Sequence, residues 1–178
     1  MSELKELLIE EMQDILHAEN QLTKALPKMA QAARNPKLRE AFDKHLTQTR
    51  KHIERLEEAF ELLGEKAQAT PCKAMEGLVA EGSERIQDGE GKDDVSADLA
   101  LIGAAQKVEH YEISGYGTLR TLARQIGELE VEKLLTRTLG EEEAADFLLS
   151  EVAKPIIQAG TSELYEAQTG KPQTAGVR

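Results

Sequence analysis

The chain has 178 residues, a net charge of −11, a pI near 4.9 and only 3% aromatic residues with no Trp. That length supports one domain with a real core, and the core must be Leu, Ile, Val, Ala and Met, the palette of packed helices. The acidic balance excludes a nucleic-acid or anionic-membrane surface, which would need a basic face, and the lone Cys72 excludes an internal disulfide and a thiolate metal site within one chain.

The first helix is expected from Leu4 to about Ala33, because Leu8, Met12, Ile15, Leu22, Leu26 and Met29 recur at three- and four-residue steps. Acidic residues interrupt its apolar positions, so MSELKELLIEEMQDIL does not read as a secretory signal. Asn35-Pro36 reads as a cap and first-turn proline opening a second helix, which runs to Gly64 with Leu38, Phe42, Ile53, Leu56 and Phe60 inward. A connection this short forces the two helices antiparallel. Thr70-Pro71 repeats the cap-and-proline signal and opens a shorter helix that ends in DGEGKDD. A third long helix is expected from about Ser96 to Gln125, and a fourth from after Gly127 to about Gln158, bent near Pro155. Residues 1–160 then form one domain, and 161–178 are expected to be a mobile tail with little to bury. No apolar run is long enough to span a bilayer, and a cytoplasmic address is expected.

Shifting the chain by 93 positions lays residues 9–63 on 102–156 with nine identities, among them His17 on His110 and Glu19 on Glu112. Apolar partners such as Ile15/Val108 and Phe42/Leu135 match as well, so each half carries the same helical stripe. Two antiparallel helix pairs joined by a short crossover helix make an all-α, ferritin-like four-helix bundle, and the repeat is what its approximate twofold symmetry would leave behind.

Placing residues at 100° steps puts Glu19 and Glu112 near the centres of their apolar faces. An unpaired buried carboxylate is costly, so something must compensate the pair. In the second helix the central positions hold His45, Thr49 and His52, with Gln48 toward one edge. In the fourth, Glu142 is central with Glu141 and Asp146 to either side, while Glu109 lies one turn before Glu112. This donor set suits a dinuclear iron or manganese centre, although the usual Glu-x-x-His motif of such bundles is absent. His17 and His110 point away from the stripe centre and are expected to serve packing or surface hydrogen bonds.

The segments AAQKVEHYEISGYGTLRTLA, KAMEGLVAEG, TLGEEEAAD and DILHAENQLTKALPKMA resemble the YciF-like family of ferritin-like bacterial stress proteins, over nearly the whole chain to about residue 158. The resemblance implies a ferritin-like bundle, a homodimer and a rubrerythrin-like metal-binding centre. By position, the family's carboxylates fall on Glu19, Glu109 and Glu112 and its acidic cluster on Glu141, Glu142 and Asp146. Relatives commonly read His-Leu-x-Glu-Thr where this chain has His45-Leu46-Thr47-Gln48-Thr49, a departure that removes one negative charge. The expected function is a stress protein whose iron or manganese centre, held by Glu19, His45, His52, Glu109, Glu112, Glu142 and Asp146, reacts with oxygen or peroxide. The alternative is a non-catalytic scaffold in which the same groups form a metal-free polar network.

Overall fold

The computed structural model describes residues 2–170, and among these the regular structure is entirely helical. The elements are α1 (Glu3–Ala32), α2 (Pro36–Leu63), α3 (Lys73–Gly89), α4 (Asp94–Gln125) and α5 (Leu129–Thr169). Side-chain caps start most of them: Ser2 accepts from Lys5 N on α1, Asn35 from Lys37 N and Leu38 N on α2, and Asp93 from Ser96 N on α4. Proline at the start of α2 needs no hydrogen-bond partner there and arrives with helical φ.

Two boundaries differ from the sequence expectation. The cap of α3 is Cys72 and not Thr70: the buried thiol accepts from Met75 N at 3.4 Å, while Thr70 N donates to Gln13 O at 3.1 Å and ties the connection to α1. The fourth long helix continues through Pro155 and past residue 160 to Thr169, with no buried residue after Ile156. The start of that extension lies against α4, where Gly160 faces Val95 closely enough that a Cβ would fall 2.8 Å from Val95 Cγ1. Of the expected tail, 171–178 lie outside the described residues.

α1 packs on α2, α4 and α3; α5 packs on α4 and α2; and α3 lies against α4 and α1. Asp98 of α4 pins the first connection by accepting from Arg34 N (2.9 Å) and Asn35 N (2.7 Å). At Gly127 a positive φ of 84° turns the chain from α4 into α5, a conformation a side chain would strain.

The core divides into two apolar clusters. One joins Leu8, Met12 and Ile15 of α1 to Leu56 and Phe60 of α2, Tyr116 and Leu119 of α4, and Val131 and Leu135 of α5. The other joins Leu22 and Met29 to Leu38 and Phe42, to Leu101 and Val108, and to Leu149 and Val152. Each long helix therefore crosses from one cluster to the other. At the crossing it carries buried polar residues: Glu19 on α1; His45, Thr49 and His52 on α2; Glu109 and Glu112 on α4; and Glu142 on α5. A polar layer is thus sealed between two apolar plugs.

Candidate metal centre

The polar layer brings six of the seven expected site residues into two overlapping groups. His45, Glu109, Glu112 and Glu142 form one, and Glu19, His52 and Glu142 the other, with the donor atoms of each group within 4.8 Å of one another. Glu142 belongs to both. Its Oε1 lies 2.8 Å from His52 Nδ1, and its Oε2 lies 3.6 Å from His45 Nε2. His45 Nε2 is also 3.3 Å from Glu109 Oε1, and His52 Nδ1 is 3.3 Å from Glu19 Oε1. The carboxylate shared by the two halves is therefore Glu142 of α5, not either member of the repeat-related pair Glu19 and Glu112. In the 93-residue repeat its counterpart on α2 is Thr49, so the twofold pattern is broken at this position.

Asp146, the seventh expected residue, stands outside both groups. Its carboxylate accepts from Gln106 Nε2 at 2.9 Å and lies 3.5 Å from His110 Nε2 near the surface. Asp146 lies on the flank of α5 toward α4, where Gln106 and His110 hold its carboxylate away from the group around Glu142. His110 is exposed, and His17 accepts from Cys72 N at 3.0 Å, so neither belongs to the cluster.

The electrostatics show how hard the layer is to keep as it stands. Burial, reinforced by Glu142, pushes the Glu109 and Glu112 carboxyls well above their ordinary range. Burial likewise lifts Glu19 to about 7, against the lowering effect of His52. For His52, burial alone would favour the neutral ring, but its contacts with Glu142 and Glu19 outweigh it and push the imidazolium up to about 10. His45 is lowered by burial. Glu142, between the two rings, is held below its usual value despite burial because His52 and His45 favour its charge. Among the described residues both oxygens of Glu112 and one each of Glu19 and Glu109 have no hydrogen-bond partner, and those of Glu142 face only the two imidazoles. Four carboxylate oxygens without a protein partner in one buried layer are a large exception to the rule that buried polar groups are satisfied.

Residues that sequence periodicity did not single out complete the surroundings. The Tyr116 hydroxyl donates to Glu19 Oε1 at 2.5 Å, and its ring lies 6.3 Å from that of His52. Arg55 grips Glu141 with both guanidinium nitrogens at 2.9 Å, and Glu141 Oε2 lies 2.9 Å from His52 Nε2. Tyr116 follows Glu112 by four residues and Arg55 follows His52 by three, so both spacings put them on the site's own faces. That was the available signal. Gly115 lets α4 approach α1 beside them: a Cβ there would fall 2.5 Å from Ile15 Cδ1. Gln48 is partly buried and lines a small crevice with Lys44, His45, Glu109, Ala144 and Ala145 that reaches the His45 side of the layer.

These features define the class as an all-helical chain with a buried interior cluster of carboxylates and imidazoles, a set of groups able to hold metal. The chain belongs to the family described as "domain of unknown function (DUF892)", whose model matches residues 3–162. It is 47% identical over 154 residues to protein YciF of Escherichia coli strain K12, covering 86% of this chain and 92% of that protein. The crystal structure of the E. coli stress protein YciF superposes with a TM-score of 0.84 at 43% identity, covering 89% of this chain and 99% of that one. YcfI of Rhodopseudomonas palustris, provisionally described as a structural protein, gives a TM-score of 0.79 at 42% identity over 84% and 94% of the two chains. A protein of Xanthomonas campestris shares the fold at 21% identity, with a TM-score of 0.69 over 89% of this chain and 95% of that one. Among the described residues no helix is long and apolar enough to cross a membrane.

Proposed function

We propose that this YciF-like protein is a ferritin-like four-helix bundle whose polar layer holds two divalent ions, iron or manganese, and that it acts in stress protection by reacting with oxygen or peroxide. The observation that carries the reading is the cluster of four buried carboxylates, four of whose oxygens have no protein partner, facing two imidazoles inside the fold. Four carboxylates carry the charge that two divalent cations neutralise, and carboxylate with imidazole is a donor set that iron and manganese accept.

Glu19, His52 and Glu142 would hold one ion, and His45, Glu109, Glu112 and Glu142 the other. The ions, when bound, would supply the redox chemistry that activates a small oxidant. The remaining work belongs to the chain. Glu142 presents one oxygen to each half, which fixes the spacing between them. Tyr116 orients Glu19 by donating its hydroxyl hydrogen bond to Oε1, and the apolar clusters lie on either side of the layer. The crevice beside His45 and Gln48 offers a route from solvent to that half for a molecule the size of oxygen or peroxide. The same reading includes a cytoplasmic homodimer, in which a second copy would cover the exposed Phe147 and Leu164 of α5.

Anaerobic loading of the purified chain with iron(II), followed by addition of air or hydrogen peroxide, tests the function. Iron(II) should be oxidised faster than in matched buffer, at up to two ions per chain, and Glu142→Ala should abolish the difference. Oxidation at the buffer rate would overturn the reading. One observation favours a second reading. Arg55, Glu141, His52 and Glu19 already form a connected polar network without metal, as a scaffold protein would require, and a relative is described as structural. An inert chain that retains its melting temperature in the presence of chelator would support that alternative.

A further inference from the structure

The two halves of the layer are not supported alike. On the His52 side, Glu141 immediately precedes Glu142, so its side chain leaves the inner face and reaches the flank of α2. Arg55 meets it there. Nη1 and Nη2 donate to Oε2 and Oε1, both at 2.9 Å, and Nη1 also donates to Thr138 Oγ1 at 3.1 Å. A planar fork bonded at both ends fixes the carboxylate in position and in plane. His52 Nε2 then lies 2.9 Å from Glu141 Oε2 and donates its N–H there. A ring that keeps its proton on Nε2 offers the lone pair of Nδ1, and that atom faces Glu19 Oε1 and Glu142 Oε1 at 3.3 and 2.8 Å.

The His45 side has no equivalent. The polar side chain beside His45 toward solvent is the neutral amide of Gln48 in the crevice, with no arginine-held carboxylate behind the ring. Arg55 is buried and Glu141 partly so, and an ion pair taken this far out of water is a poor choice for stability alone, because an apolar pair of similar size often does as well. Its cost is explained if its purpose is the third bond, the one to His52.

We propose that Arg55 and Glu141 are positioning residues of the metal centre, holding the His52 ring with Nδ1 toward Glu19 and Glu142, and that this half consequently binds its ion more tightly than the His45 half. The inference rests on the metal reading above and adds an order of filling to it. Outer partners of metal-bound histidines orient the ring and raise its basicity, and their loss typically weakens binding about 10- to 100-fold.

The test is manganese(II) titration of the full chain after chelator treatment, followed by calorimetry and by the spin-resonance signal of free manganese. Wild type should show a tight and a weaker phase. Glu141→Leu and Arg55→Met should weaken the tight phase about 10- to 100-fold and leave the weaker one within a few-fold. Glu141→Gln keeps an acceptor for the Nε2 proton and should recover most of that loss, which a purely structural role for the charged pair would not predict. Arg55→Lys, which keeps the charge without the fork, should fall in between and serves if the leucine variant does not fold. A tight phase unchanged in Glu141→Leu and Arg55→Lys, or equal losses in the glutamine and leucine variants, would overturn the proposal with the metal reading intact. No manganese binding by wild type would overturn both.

Discussion

Glu112→Met should raise the stability of the metal-free chain and lower that of the metal-loaded one. Glu112 is fully buried, neither of its oxygens has a partner, and burial with the nearby Glu142 pushes its carboxyl well above the ordinary range. Leaving such a group unsatisfied costs about 1–3 kcal/mol, and methionine fills a similar volume without a polar atom. At about 2–4 °C per kcal/mol for a domain of this size, a gain near 2 kcal/mol raises the melting temperature in chelator by roughly 4–8 °C. With ligand at about a thousand times its dissociation constant, wild type should gain about 4 kcal/mol, and the variant, missing one donor, only part of it. The melting curves should therefore change order. Far-ultraviolet circular dichroism of both proteins, in chelator and in excess manganese(II), measures all four temperatures. A variant that melts below wild type in chelator and keeps the full metal-induced rise would refute the reasoning.

The pH dependence of the metal-free chain follows from the same layer. Above pH 6.5 the titrating layer groups are those whose folded values are raised: His52 to about 10, Glu19 to about 7, and Glu109 and Glu112 well above 4.5. A raised value confers stability that is complete below the unfolded value and is lost as pH rises through the folded one, so urea midpoints in chelator should fall from about pH 6.5 to about pH 10. His45, lowered by burial, acts oppositely but only below 6.5, and Glu141, brought to about 2 by Arg55 and His52 against burial, only in acid. Manganese affinity measured by calorimetry should rise over that same interval, because binding displaces the protons. Asp98→Ala removes the acceptor for Arg34 N and Asn35 N at the α1–α2 connection and should cost about 1–3 kcal/mol in urea denaturation. Gly115→Leu should cost about 1–3 kcal/mol by driving a side chain into Ile15, and a smaller loss for Gly115→Ala would locate the effect in the α1–α4 contact.

Much of the fold was legible because its signals are local. Asn35-Pro36 and Gly127 mark helix boundaries, and the three-and-four spacing from Leu8 to Met29 marks an inner face. α3 began later than expected because its cap is a cysteine thiol, which lies outside the usual capping residues. The burial of Glu19, His45, His52, Glu112 and Glu142 was legible because a polar residue at the centre of an apolar stripe is anomalous on its own helix, and Glu109 drew notice one turn before Glu112 on the flank of the same face. What lies opposite depends on helix tilt and register, which periodicity along one helix does not encode. For that reason the bridging position of Glu142, the outward turn of Asp146 and the contact of Arg55 with Glu141 emerged only in three dimensions. Tyr116 was missed for another reason: a tyrosine on an apolar face reads as core, and its ring is core, while its hydroxyl serves Glu19.

Anomalous diffraction from crystals of the full chain grown with manganese(II) addresses the central claim most directly. The account predicts two manganese peaks per chain inside the polar layer, one bounded by Glu19, His52 and Glu142 and the other by His45, Glu109, Glu112 and Glu142. Manganese found only on surface carboxylates, with the layer empty at saturating metal, would contradict it.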